Sequence, residues 1–161
     1  MVRKRFDIRE QRKYKQGMEQ VLKEFGREVL LYERDEENAT DCPDCDWDSI
    51  NEVSMDPNCE SCSGLGKIYP EIIRQIDAAV RWWDGSIEWD RTSAGRFEEG
   101  DCRLTLLIKD VAKDPNDLSQ GTYLDDVYKV IVDTIECEVK TPARPKGFRE
   151  PFICEVIVTR K

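Results

Sequence analysis

Tyr128-Lys-Val-Ile-Val132-Asp-Thr-Ile135-Glu-Cys-Glu-Val139 reads as two short strands around a two-residue turn, Asp133-Thr134. Ile135, Cys137 and Val139 alternate with Glu136 and Glu138, so one face is apolar and the other meets water. The same alternation occurs twice more. Cys102 shares a face with Leu104, Leu106 and Ile108, and Cys154 shares one with Phe152, Val156 and Val158. On such faces a free thiol behaves as a small hydrophobe, so these three cysteines are expected in a core. Pro142, Pro145 and Gly147 mark a turn before the last strand. Short half-buried strands joined by short turns predict a mainly β fold, a small antiparallel β-barrel or curled sheet.

Upstream, Tyr14, Met18, Val21, Leu22 and Phe25 recur at helical spacing, which predicts an amphipathic helix over 9–25 stopped by Gly26. Residues 28–34 read as a first strand. A second begins near Lys67 and runs to Trp82, with Ile72, Ile76, Ala78, Val80 and Trp82 on one face and Arg74 interrupting it. Pro70 suggests an edge or bulge at its start. A helix over 70–82 is the rival reading, because Ile72, Ile73, Ile76, Ala79 and Val80 also fit a 3.6-residue period. The expected organisation is an N-terminal helix in 1–27 and a barrel in 28–161. Residues 35–67 form an inserted loop, and 84–100 a polar connection rich in glycine.

The inserted loop holds two Cys-x-x-Cys pairs, Cys42-Pro-Asp-Cys45 and Cys59-Glu-Ser-Cys62, in a chain with no histidine. Four sulfurs from two tight turns suit a tetrahedral soft metal, zinc first, with iron fitting the same donors. Two free dithiols or disulfides are the other readings. A four-thiolate site is coordinatively closed, unlike a catalytic zinc that keeps an open position.

Without histidine there is no serine or cysteine triad, and the chain carries no phosphate-binding glycine motif. The expectation is a protein that is not an enzyme. The net charge is −9. Residues 35–62 hold ten acids and no Lys or Arg, which opposes a zinc-ribbon that grips a phosphate backbone. Residues 1–28 run the other way, with nine Lys or Arg against five acids. No apolar run approaches a membrane span, and the first residues lack the apolar core of a secretory signal. Synthesis in a reducing cytoplasm is expected. Trp47, Trp82, Trp83 and Trp89 are numerous for a surface this polar. Some are expected at an interface.

The order of these parts resembles the neck proteins of tailed bacteriophages, the head–tail connector, head-completion or stopper class. The resemblance rests on Val29-Leu-Leu-Tyr-Glu-Arg after the helix and on the loop ending Cys59-Glu-Ser-Cys62-Ser-Gly64-Leu-Gly66-Lys-Ile-Tyr69. It continues in Gly100-Asp-Cys-Arg-Leu-Thr-Leu, Tyr128-Lys-Val-Ile-Val-Asp and Pro145-Lys-Gly147. It implies a barrel that forms a ring, usually of six subunits, in the virion neck. The partners would be a portal or adaptor protein on the head side and a tail or tail-terminator protein on the tail side. Packaged double-stranded DNA would pass through, bound without sequence preference. By strand order the DNA-facing channel loop would be 84–100, with Asp84, Glu88, Asp90, Arg91, Arg96, Glu98 and Glu99. Such proteins often have a glycine in the hairpin turn where this chain has Asp133-Thr134. An Hsp40-like zinc-binding chaperone or protein-interaction module is the alternative. Cys59-Glu-Ser-Cys62-Ser-Gly64-Leu-Gly66 matches one repeat of that zinc region, but Asp46-Trp47-Asp48 replaces the glycines after the first pair.

Overall fold

The computed structural model describes residues 8–48, 53–54, 56–83, 98–114, 117, 121–147 and 151–161. They divide into two compact units, Met1–Tyr32 with Ile73–Lys161, and Glu33–Ile72.

The first unit is a closed six-stranded antiparallel barrel with one N-terminal helix. Its elements are α1 (Ile8–Phe25), β1 (Arg27–Arg34), β6 (Glu71–Trp82), β7 (Asp101–Leu107), the single turn α2 (Ile108–Val111), β8 (Val127–Val132), β9 (Ile135–Gly147) and β10 (Pro151–Arg160). Around the barrel the order is β1-β6-β7-β10-β9-β8, returning to β1. Closure leaves no sheet edge to recruit stray strands. Ala78, Cys102, Leu104, Leu106, Cys137, Cys154, Val156 and Val158 face inward as the alternation predicts. Val29, Leu31, Ala78, Cys102, Leu104, Leu106, Val130, Val132, Cys137, Cys154, Val156 and Val158 form one buried cluster. Each such Leu or Val contributes about 1.5–3 kcal/mol by leaving water.

Residues 71–82 are a strand, which settles the strand-or-helix ambiguity. Ile76, Val80 and Trp82 pack on the core, and Arg74 stacks its guanidinium over Tyr123 at 3.8 Å. That contact explains how a cation interrupts an inward face. The second strand read from the sequence is two elements, however. Lys67–Ile68 pairs with Thr40–Asp41 in the other unit, and the barrel strand begins only after Pro70. Proline lacks the N–H that a continuous ladder needs there. The turn expected at Pro142 and Pro145 is likewise absent: β9 runs through both prolines to Gly147. Its register against β10 shifts between Glu155 and Ile157 and again before Val158, and the Ile157 N–H donates to Thr141 Oγ1 at 3.3 Å. A side chain stands in for a missing backbone partner, and the strand bends.

The β8–β9 turn is tight, with Val132 opposite Ile135 and positive φ at both Asp133 (50°) and Thr134 (69°). This is the backbone of a type I′ hairpin, built without glycine. Asp133 is held there by its carboxylate. It accepts from Arg27 at 2.5 Å and from Trp82 Nε1 at 2.9 Å, joining β1, β6 and the turn.

Helix α1 is attached along a line rotated from its apolar stripe. Leu22 is buried, Glu19 pairs with Lys109 at 3.1 Å, and Tyr14 meets Phe152 edge-on at 5.6 Å. Yet Tyr14, Val21 and Phe25 remain 49%, 46% and 75% exposed. Gly17 sits mid-helix on that open side, and a Cβ there would meet nothing within 4 Å. Glycine in a helix interior costs about 1 kcal/mol relative to alanine. Gly17→Ala is therefore expected to stabilise the monomer by roughly 0.5–1 kcal/mol, read as a higher urea midpoint with unchanged slope.

Candidate metal centre

In the second unit, two short ladders frame two turns. Thr40–Asp41 (β2) pairs with Lys67–Ile68 (β5), and Trp47–Asp48 (β3) pairs with Val53–Ser54 (β4). The first Cys-x-x-Cys turn lies between β2 and β3 and the second between β4 and β5. The ladders bring them face to face. The Cys42 N–H donates to the Gly66 carbonyl at 2.9 Å, and Ser61 Oγ donates to the Asp44 carboxylate across the two turns.

The second turn shows why its sequence is small. Ser63, Gly64 and Gly66 all have positive φ. At Gly64 a Cβ would lie 2.5 Å from the Pro57 carbonyl oxygen, so no larger residue fits. The fold-back lets the Ser63 N–H reach the Cys59 carbonyl at 2.7 Å and the Gly66 N–H reach Cys62 Sγ at 3.2 Å. The Gly66 contact is a hydrogen bond to a ligating sulfur, the kind of outer contact that orients metal ligands.

All four Sγ atoms of Cys42, Cys45, Cys59 and Cys62 lie within 4.8 Å of one another. Cys42 and Cys59 are 3.7 Å apart, and Cys45 and Cys62 are 3.5 Å apart. A tetrahedron of 2.3 Å metal–sulfur bonds has edges of about 3.8 Å. Three of the thiols are buried and Cys45 is half-buried. The surroundings push these thiols in opposite directions. Burial opposes the Cys62 thiolate, but the Gly66 N–H and the neighbouring thiols outweigh it and its pKa falls to about 7. At Cys45 the Ser54 hydroxyl favours the thiolate, but burial and the three other sulfurs push its pKa up to about 12. A dication relieves that conflict, and the donor set and geometry fit one metal ion. With four sulfurs and no open position, the ion would hold the loop together rather than do chemistry.

The other cysteines are apart from this cluster. Cys102, Cys137 and Cys154 are buried in the barrel, as their strand patterns predict. Burial pushes Cys102 up to about 12 and Cys154 up to about 11, which leaves both as inert thiols.

Of the expected channel residues, Asp84, Glu88, Asp90, Arg91 and Arg96 lie outside the described residues, as does Trp89. Glu98 and Glu99 are described, at the foot of β7. Here is a group that sequence reasoning missed. Asp101 is 0% exposed, and its carboxylate accepts from Lys140 Nζ at 2.7 Å and from the Glu98 N–H at 2.9 Å. Lys140 also reaches the Glu98 carboxylate at 3.7 Å. On the other side, the Trp83 N–H donates to the Asp101 carbonyl at 2.8 Å. Asp101 thus fixes both residues from which the 84–97 segment departs. The only signal in the sequence was an acid beside Gly100 at a strand start.

No protein-family model and no curated protein matches the chain. Among the described residues, no helix is long and apolar enough to cross a membrane.

Proposed function

We propose that this chain is a structural protein of a tailed-phage neck, which forms a ring between the portal or adaptor and the tail and helps retain packaged DNA. One observation carries the reading. A helix leads into a closed antiparallel barrel whose first two strands, β1 and β6, are separated by a four-cysteine unit, and whose next connection, β6 to β7, is the long polar segment. This is the order of parts on which the resemblance to connector proteins rests. The metal in this proposal is zinc, which four thiolates hold without redox chemistry. The ring would lie in the virion, after synthesis in the host cytoplasm, and would have no catalytic role. Residues 84–100 would face the DNA. They hold five acids against Arg91 and Arg96, a balance that repels phosphate and lets a duplex slide.

The test is composition and company. Purified virions are expected to contain the chain in a fixed copy number. It is expected to co-purify with a portal, adaptor or tail-terminator protein, with one zinc per chain by elemental analysis. Its absence from intact virions, with retention in the soluble lysate, would overturn the reading.

A further inference from the structure

We infer that copies of this chain associate head to tail, the exposed face of α1 of one copy docking on the acidic cysteine unit of the next. The inference deepens the connector reading and rests on it for the ring.

Two complementary surfaces support it. On α1, Val21 and Phe25 continue the line of Tyr14, and all three keep about half or more of their surface in water. Apolar residues in a row on a monomer's surface mark a contact face. Gly17 lies beside them with open space above its Cα. Among the described residues nothing close to Gly17 requires glycine there, whereas a partner surface that approaches the helix backbone would. The helix carries five Lys or Arg against three Glu.

The matching surface is in the other unit. Residues 33–72 hold twelve acids against Arg34 and Lys67. A dication held by four thiolates adds a formal surplus of two negative charges. Among these carboxylates Leu65 and Ile68 are exposed, and they supply apolar contacts for the helix face. Two acidic units repel each other, and so do two basic helices, so like-to-like pairing is disfavoured while unlike pairing is steered. A contact between two different patches is heterologous. Repeated with a closing rotation, it makes a ring.

The experiment uses the full, zinc-loaded chain with a photo-cross-linking phenylalanine analogue at position 25. Equal parts of nitrogen-14 and nitrogen-15 chains are mixed, irradiated at 50 mM salt, and mapped by mass spectrometry. The expected products join position 25 of one isotope to residues 56–68 of the other, and they fade at 500 mM salt. Gly17→Gln is expected to weaken self-association at least tenfold without lowering the melting temperature. Phe25→Ser is expected to act in the same direction. Cross-links confined to one isotope, links to another part of the neighbouring copy, or none at any concentration would overturn the inference. Links formed only with a different virion protein would overturn it too. Electron micrographs of the same sample separate the two claims. Rings with links elsewhere spare the connector reading and sink this interface. The expected links in dimers or open filaments keep the interface and sink the ring.

Discussion

If Cys42, Cys45, Cys59 and Cys62 hold one metal ion, a chelator is expected to unfold residues 33–72 of the reduced protein and to leave the barrel folded. The reason is what that unit lacks. Among the described residues its buried apolar cluster consists of Cys42, Cys59 and Cys62, with Cys45 packed against them. Two-residue ladders and tight turns do not offset the chain entropy of some forty residues. A structural zinc contributes on the order of 10 kcal/mol to such a site, more than the whole stability of many domains. Cys59→Ser is expected to give the same state. The measurement is amide hydrogen exchange with and without chelator, read separately for 33–72 and for β7, β9 and β10. Cys137→Ala is the control, since it touches only the barrel: it lowers global stability by about 1–2 kcal/mol and retains the metal. Unchanged protection of 33–72 after complete metal removal would show that the sulfurs merely pack.

Lys140→Met carries the second large effect. It leaves the Asp101 carboxylate, 0% exposed, without its cation. Breaking a buried pair from one side costs about 3 kcal/mol or more, here roughly a 10 °C fall in melting temperature. Asp101→Asn is milder, because Lys140 is 29% exposed and keeps water. The pair also sets a pH window. Burial alone would raise the Asp101 carboxyl, but Lys140, the Glu98 N–H and Thr159 outweigh it and hold the group below the usual carboxylate range. Its stabilisation is therefore present above the unfolded pKa near 3.9 and is lost as pH falls through the lower folded value. The hydrogen bond from Lys140 to Asp101 raises the lysine despite some desolvation. Its share is present below about 10.4 and is lost as pH rises through the higher folded value. The difference between wild type and Lys140→Met should be largest between about pH 5 and 9.5 and narrow toward both extremes. Urea unfolding at pH 3, 7 and 11 checks this. A constant difference at all three would assign the loss to packing alone.

The barrel was legible because period-two alternation survives in every strand that buries one face. Cys102, Cys137 and Cys154 could be placed in the core from their neighbours alone. The four-cysteine cluster was legible because local spacing determines which sulfurs can converge. Less visible were features that join residues far apart in the chain. Asp101 meets Lys140 39 positions away, and Asp133 meets Arg27 at 106. No local pattern encodes such pairs. Prolines misled twice, in opposite senses. Pro70 ended a strand that the apolar pattern carried forward, and Pro142 and Pro145 failed to end one, because a bulged ladder with a Thr141 side chain accommodated them. Periodicity predicts which face of α1 is apolar, but not that Leu22 alone of its stripe would be buried.

The order of strands around the barrel also dictates a timetable for the nascent chain. β7 pairs with β10, not with β8, so its free side waits until every intervening strand has left the ribosome. Until then the inward faces of β1, β6 and β7 have no lid, and contacts of long sequence separation form slowly. The four sulfurs, by contrast, are all translated by residue 62, before β6 begins. The metal can thus be captured co-translationally while the barrel is still an open sheet. A cell short of that metal would then carry an unfolded 33–72 segment from the earliest stage of biogenesis, open to proteases while the barrel strands are still being made.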